Sequence, residues 1–76
     1  MLEQVREILK DYTEVNTETI TEKTSFRRDL KLNSLDVVNI VATFEDSFDI
    51  EIEDEELAQI VTVGDAIRCI EAKKTA

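Results

Sequence analysis

Apolar residues recur along this chain in separate groups, and the spacing within each group predicts an element. Leu2, Val5, Ile8, Leu9 and Tyr12 fall on one helical face, with Glu3, Glu7, Lys10, Asp11 and Glu14 on the other. A first helix is therefore predicted from about residue 2 to 14. Between Asn16 and Asn33 the helical period is lost. Thr17, Thr19, Thr21 and Thr24 prefer caps and turns, and Val15, Ile20, Phe26, Leu30 and Leu32 are expected to pin a long, ordered loop. Val37, Ile40, Val41, Phe44 and Phe48 restore the three- and four-residue spacing and predict a second helix from about Ser34 to Phe48. Leu35, Val38 and Ala42 widen its apolar surface beyond one stripe. Either the other helices wrap it on two sides, or part of it awaits a partner or ligand.

Asp49 to Glu56 alternates apolar and acidic residues and then becomes purely acidic. The alternation would suit a β-strand, but no second strand is predicted to pair with it, so an extended linker with Ile50 and Ile52 inward is expected. Asp54 to Ile60 can form a short third helix with Leu57 and Ile60 inward. Thr62-Val63-Gly64-Asp65 has the form of a capping box. The helix it opens would turn Val63, Ala66, Ile67 and Ile70 to the core, end near Lys73 and leave Thr75-Ala76 frayed. These elements make an all-α fold. It is a small four-helix bundle with a long loop between helices one and two and a short third helix, and residues 1–76 form a single domain.

Composition sharpens this picture. One Gly, no Pro and no Trp in 76 residues argue against a sandwich or barrel. The net charge of −9 and pI near 4.3 disfavour nucleic acid and anionic membranes as partners, and favour basic protein surfaces. From Leu32 to Ile67 there is no Lys or Arg, and Arg27, Arg28 and Lys31 form the basic cluster just before that stretch. The cluster reads either as a solvated loop face or as a partner-selecting patch. The acidic run lacks the Gly and ligand spacing of an EF-hand and reads as a solvated face. A lone Cys69, expected to be a buried structural thiol, points to a reducing cytoplasm. The N-terminus resembles neither a signal nor a transit peptide, and no apolar run approaches the ~20 residues that span a bilayer.

With no His and one Cys, a zinc site, a Cys–His nucleophile and a His-based triad are excluded. The chain reads as a protein acted upon, not an enzyme. Its one candidate for chemistry is Asn33-Ser34-Leu35-Asp36. Asn33 is a good N-cap, and Asp36 can return a carboxylate to it as in a capping box. Ser34 then falls in the first helical turn, where free N–H groups and the helix dipole favour a phosphate ester. The plainer reading is a helix start and nothing more.

Taken in order, Phe26…Asp29-Leu30, Ser34-Leu35-Asp36, Phe44-Glu45…Phe48-Asp49-Ile50-Glu51-Ile52, Asp54-Glu55-Glu56 and Thr62-Val63-Gly64-Asp65-Ala66-Ile67 resemble the acyl carrier proteins over nearly the whole chain. The resemblance implies that Ser34 matches the serine onto which a phosphopantetheinyl transferase moves the 4'-phosphopantetheine of coenzyme A, with magnesium in that enzyme's site. The arm's thiol would carry acyl intermediates as thioesters in fatty-acid synthesis or a related lipid or polyketide pathway. It further implies docking to basic patches on acyl-transferring and condensing enzymes through Leu35, Asp36, Val38, Asn39, Ala42, Glu45, Asp46 and Asp54. An acyl chain would be sheltered by Ile40, Phe44, Ile52 and Ile60, in a protein expected to be monomeric. The sequence departs from the family at several points: Asn33 replaces a usual Asp, Lys31-Leu32 a Gly-rich approach, Asn39 a usual acid, and Glu53 a frequent Pro. Arg27 and Arg28 also stand where acidic or neutral residues are common. These departures keep a specialised pathway open beside the housekeeping one. An amino-acyl carrier, and a non-covalent acidic adaptor in which Ser34 is only part of a cap, remain the alternatives.

Overall fold

Helical periodicity is realised in four α-helices: α1 (Leu2–Leu9), α2 (Ser34–Phe48), α3 (Asp54–Leu57) and α4 (Val63–Thr75). The structure, a computed structural model, describes residues 1–75. Helices α1, α2 and α4 pack on one another around Val5, Leu9, Ile40, Phe44, Val63 and Ile70, all fully buried. Within the described residues strand pairing is confined to one antiparallel bridge, Ser25 with Thr62. The alternating stretch after α2 is extended, with Ile52 buried and Ile50 half-buried.

Three helix ends differ from the sequence expectation. Helix α1 stops at Leu9, because the Asp11 and Tyr12 N–H groups donate to Ile8 and Leu9 carbonyls three residues back, at 3.4 and 2.9 Å. That tightening accompanies a hydrogen bond between the Tyr12 hydroxyl and Thr43 Oγ1 on α2, 3.0 Å apart. Helix α3 likewise closes at Leu57, with Gln59 and Ile60 N–H donating three residues back at 3.1 Å each. This leaves Ile60 buried and Val61 exposed. Helix α4 extends to Thr75, beyond the end expected near Lys73, and Ala76 lies outside the described residues.

The long loop is ordered, and it contains a single 3-10 turn, Thr17–Thr19, capped by Asn16 Oδ1 accepting from Glu18 N–H at 3.0 Å. Ile20, Phe26, Leu30 and Leu32 are its buried anchors; Val15, expected among them, is exposed. Backbone bonds strap the loop to the start of α4. Phe26 N–H donates to Val61 O at 3.1 Å, Val63 N–H to Thr24 O at 2.9 Å and Gly64 N–H to Glu22 O at 2.8 Å. From α1, Arg6 Nε donates to Ile20 O at 2.9 Å.

Gly64 is required by that close approach. A Cβ built on it would lie 2.8 Å from Glu22 O and 3.2 Å from Glu22 Cβ. Gly64→Ala must therefore push a backbone carbonyl away from α4 or lose its hydrogen bond. The expected cost is about 1–3 kcal/mol, an overpacking penalty. Urea denaturation should show it as a lower midpoint, and an unchanged midpoint would contradict the strap.

Asp65 holds the same junction electrostatically. Its Oδ2 accepts from the Val61 and Thr62 N–H groups, both at 3.1 Å, while Thr62 Oγ1 accepts from Asp65 N–H at 3.2 Å, completing the box expected from sequence. Those bonds, led by the Thr62 N–H, hold the Asp65 carboxyl below its ordinary range. A depressed carboxylate contributes stability above its unfolded pKa and loses it as pH falls through the folded one. Asp65→Ala is thus expected to cost about 1–2 kcal/mol at neutral pH. The gap to wild type should shrink steadily once the pH drops below the ordinary aspartate value of 3.8. A pH-independent gap in chemical denaturation would refute this account.

Candidate functional site

The site begins with the geometry of the chain entering α2. Leu30 and Leu32 both point into the core, and Lys31 between them takes φ 56°, a left-handed conformation. For a residue with a Cβ this costs ~1–2 kcal/mol. Asn33 then adopts an extended conformation (φ −90°, ψ 176°) and caps the helix. Its Oδ1 accepts from Asp36 N–H at 2.8 Å, and Asp36 Oδ2 accepts from Asn33 N–H at 3.3 Å. The capping box anticipated from sequence is present.

That box leaves the backbone N–H groups of Ser34 and Leu35 without a hydrogen-bond partner among the described residues. The Ser34 side chain is exposed and its hydroxyl likewise has no partner there. An exposed hydroxyl thus stands at the positive end of a 15-residue helix, beside two free donors. This arrangement fits a phosphate ester.

Ser34 also opens onto a groove of about 320 Å³ between α2 and the α3–α4 connection. Val37 and Val38 of α2, Leu57, and Ala58, Ile60 and Val61 form apolar walls, and Arg27 from the long loop joins the lining. Val38 is 45% and Val61 58% exposed, so the groove is an open apolar surface. Sequence patterning had not singled out Val61, Leu57 or Ala58 as site residues. The signal available was the Ile60-Val61 pair, in which only one residue can face inward at a tight turn.

Of the residues expected to meet partners, Leu35, Val38, Asn39, Ala42 and Asp46 are exposed along α2, and Asp54 is exposed at the start of α3. Leu35 is 67% exposed, the most open of the large apolar residues. Two acids of that set are engaged internally. Asp36 closes the capping box, and Glu45 Oε2 accepts from Ile52 N–H at 2.9 Å, tying the extended linker to α2. Of the four residues expected to shelter an acyl chain, Ile40 and Phe44 are fully buried, Ile52 is buried, and Ile60 alone lines the groove. The four are contiguous with the core, so a chain reaching Ile40 or Phe44 would have to part α2 from its neighbours.

Arg27, Arg28 and Lys31 are all exposed, but Arg27 alone of the three lines the groove. On the far side of Ile60 a second hollow of about 300 Å³ includes Glu56, Asp65, Arg68 and Cys69. Its charged groups are already paired: Glu56 with Lys73 at 2.7 Å, and Asp65 with Arg68. The Lys73 hydrogen bond lowers the Glu56 pKa and raises that of Lys73. Cys69, expected buried, is half-buried with Sγ 3.6 Å from Glu56 Oε2. Burial first, then the Glu56 charge, pushes its thiol pKa up, so the nucleophilic thiolate is disfavoured.

Comparison with known proteins gives this geometry a context. Residues 3–70 match a family described as the phosphopantetheine attachment site. The chain is 47% identical over 73 residues to an acyl carrier protein of Caulobacter vibrioides, covering 96% of this chain and 94% of that one. It is 45% identical over 73 residues to an acyl carrier protein of Phenylobacterium zucineum, covering 96% and 92%. Among solved structures, it is similar to the acyl carrier protein of Thermotoga maritima, with a TM-score of 0.83 and 35% identity over 95% of this chain and 84% of that one. It is also similar to the acyl carrier protein of Enterococcus faecalis, with a TM-score of 0.82 and 30% identity over 95% and 91%.

Proposed function

This chain belongs to the acyl carrier protein family, and from that premise we propose that Ser34 bears its 4'-phosphopantetheine arm and that the arm carries acyl intermediates as thioesters. The family is one of carriers, not catalysts. The single observation that supports Ser34 is its exposed hydroxyl at the N-terminus of α2, without a partner among the described residues and open to an apolar groove. Seated on a transferase, Ser34 Oγ would form a bond to the phosphorus of coenzyme A's phosphopantetheine as the bond to adenosine 3',5'-bisphosphate breaks. The hydroxyl proton passes to a base on that enzyme. When bound, the arm supplies the thiol that holds the acyl group.

The chain's own residues do the rest. Asn33 and Asp36 fix the orientation of the first turn, and the Ser34 and Leu35 N–H groups and the helix dipole favour the phosphodiester charge. Leu35, Val38, Asn39, Ala42 and Asp46 form the exposed face that would dock on partner enzymes, with Asp54 adding charge from α3. Fatty-acid synthesis, or a related lipid or polyketide pathway, is the setting this reading favours. The whole chain acts in it as one carrier domain in the cytoplasm, where the unpaired Cys69 thiol is at home. Intact mass after incubation with coenzyme A, magnesium and a broad-specificity phosphopantetheinyl transferase tests it. One phosphopantetheine per chain is expected; a folded protein that gains no mass would overturn the assignment.

A further inference from the structure

The groove at Ser34 contains one feature that neither its apolar walls nor the helix start accounts for. Among the described residues, Arg27 is the sole charged residue in its lining. Among the described residues its guanidinium makes no ion pair or hydrogen bond, in a chain where Asp and Glu outnumber Lys and Arg by 18 to 9. The excess of acids around the site is steep. No Lys or Arg occurs from Leu32 to Ile67, and Asp36 lies two residues beyond Ser34 with its carboxylate in the same helical turn. A phosphodiester on Ser34 therefore enters a field that repels it, opposed by the helix dipole and two N–H donors. The fold supplies a further opposing charge from outside the helix, because the strap between the loop and Val61 sets Phe26, and with it Arg27, beside the α3–α4 connection.

Resting on the reading of Ser34 as the attachment site, we infer that Arg27 receives the phosphodiester of the arm and so lays the arm's first segment against Val38, Leu57 and Val61. A guanidinium suits this role, since its planar fork can donate two parallel hydrogen bonds to phosphate oxygens. The same cation could in principle meet an acidic group on the cargo. Connectivity decides between them: the phosphate is bonded to Ser34 itself, whereas the whole length of the pantetheine separates Ser34 from the thiol and its acyl group. The arm's branched dimethyl unit, next along from the phosphate, is the apolar part that meets the exposed valines. Arg28 and Lys31, on the same loop but outside the groove, contribute only to the general field.

The test uses isotopically labelled full-length protein loaded with the arm, as wild type, Arg27→Gln and Arg28→Gln. In wild type the ³¹P resonance of the phosphodiester and the Arg27 Nε–H resonance report each other. Arg27→Gln should displace the ³¹P resonance and abolish cross-relaxation between the arm's dimethyl protons and the Val38 and Val61 methyls; Arg28→Gln should leave both as in wild type. A ³¹P resonance unmoved by Arg27→Gln would overturn the inference, as would equal displacement by both variants. If Arg27→Gln resists loading, wild type decides alone: the Arg27 Nε–H resonance must move between the apo and loaded protein while that of Arg28 stays. An Arg27 resonance that stays in loaded wild type sinks only this inference, whereas a wild type that accepts no arm sinks the reading beneath it.

Discussion

Ser34→Ala is expected to remove all phosphopantetheine loading while leaving the fold intact. The hydroxyl is the only group on this side chain, and among the described residues it has no hydrogen-bond partner whose loss would cost stability. Ser34 occupies the first position inside α2, and the capping bonds belong to Asn33 and Asp36. Alanine has the better helix propensity there, so the change in unfolding free energy should stay within about 0.5 kcal/mol. Intact mass and urea denaturation, run side by side, separate the two effects. A Ser34→Ala protein that still gains the arm would place attachment elsewhere. A variant that keeps every partner interaction without the arm would favour a non-covalent adaptor instead.

Phe44→Ala should have the largest effect on stability. Phe44 has no exposed surface, lies in the C-terminal half of α2 and meets the Phe48 ring at a centroid distance of 6.3 Å and a tilt of 55°. Truncating a buried phenylalanine typically costs about 3–5 kcal/mol, from lost transfer energy and the cavity left behind. A domain of this size has a total stability of roughly 4–11 kcal/mol. The variant is therefore expected to lose a large share of its stability, read as a sharply lowered urea midpoint. Phe44→Leu fills more of the site and should retain the fold with a lowered midpoint. A fully folded Phe44→Ala protein with an unchanged urea midpoint would mean that the core around α2 is already loose, as an internal acyl site would need.

Much of this was readable in the residues because the causes are local. The extent of α2 follows from Asn33 and Asp36 at its start and from the apolar spacing to Phe48, and the structure reproduces both ends. Thr62 and Asp65 announced α4 in the same way. The loop anchors Ile20, Phe26, Leu30 and Leu32 were legible as isolated apolar residues in a polar stretch, since burial is what such residues gain from folding. Where local reasoning failed, a distant contact had intervened. The last turn of α1 tightens where Tyr12 meets Thr43, and Val15 stands exposed beyond that turn.

Glu45 shows the same limit at the candidate site. Its position on α2 suggested a surface acid for partners, yet its carboxylate holds the Ile52 N–H of a linker seven residues on. Arg27 is the clearest case. In the sequence it belongs with Arg28 and Lys31 as one basic cluster, but the loop's backbone bonds to Val61 and Val63 select it alone for the Ser34 groove. Helices, caps, charge asymmetry and the family resemblance rest on neighbours within a few residues, where propensity and periodicity act. The groove, its exposed valines and its cation Arg27 arise from three segments well separated in the chain, which only closure of the loop onto α4 brings together.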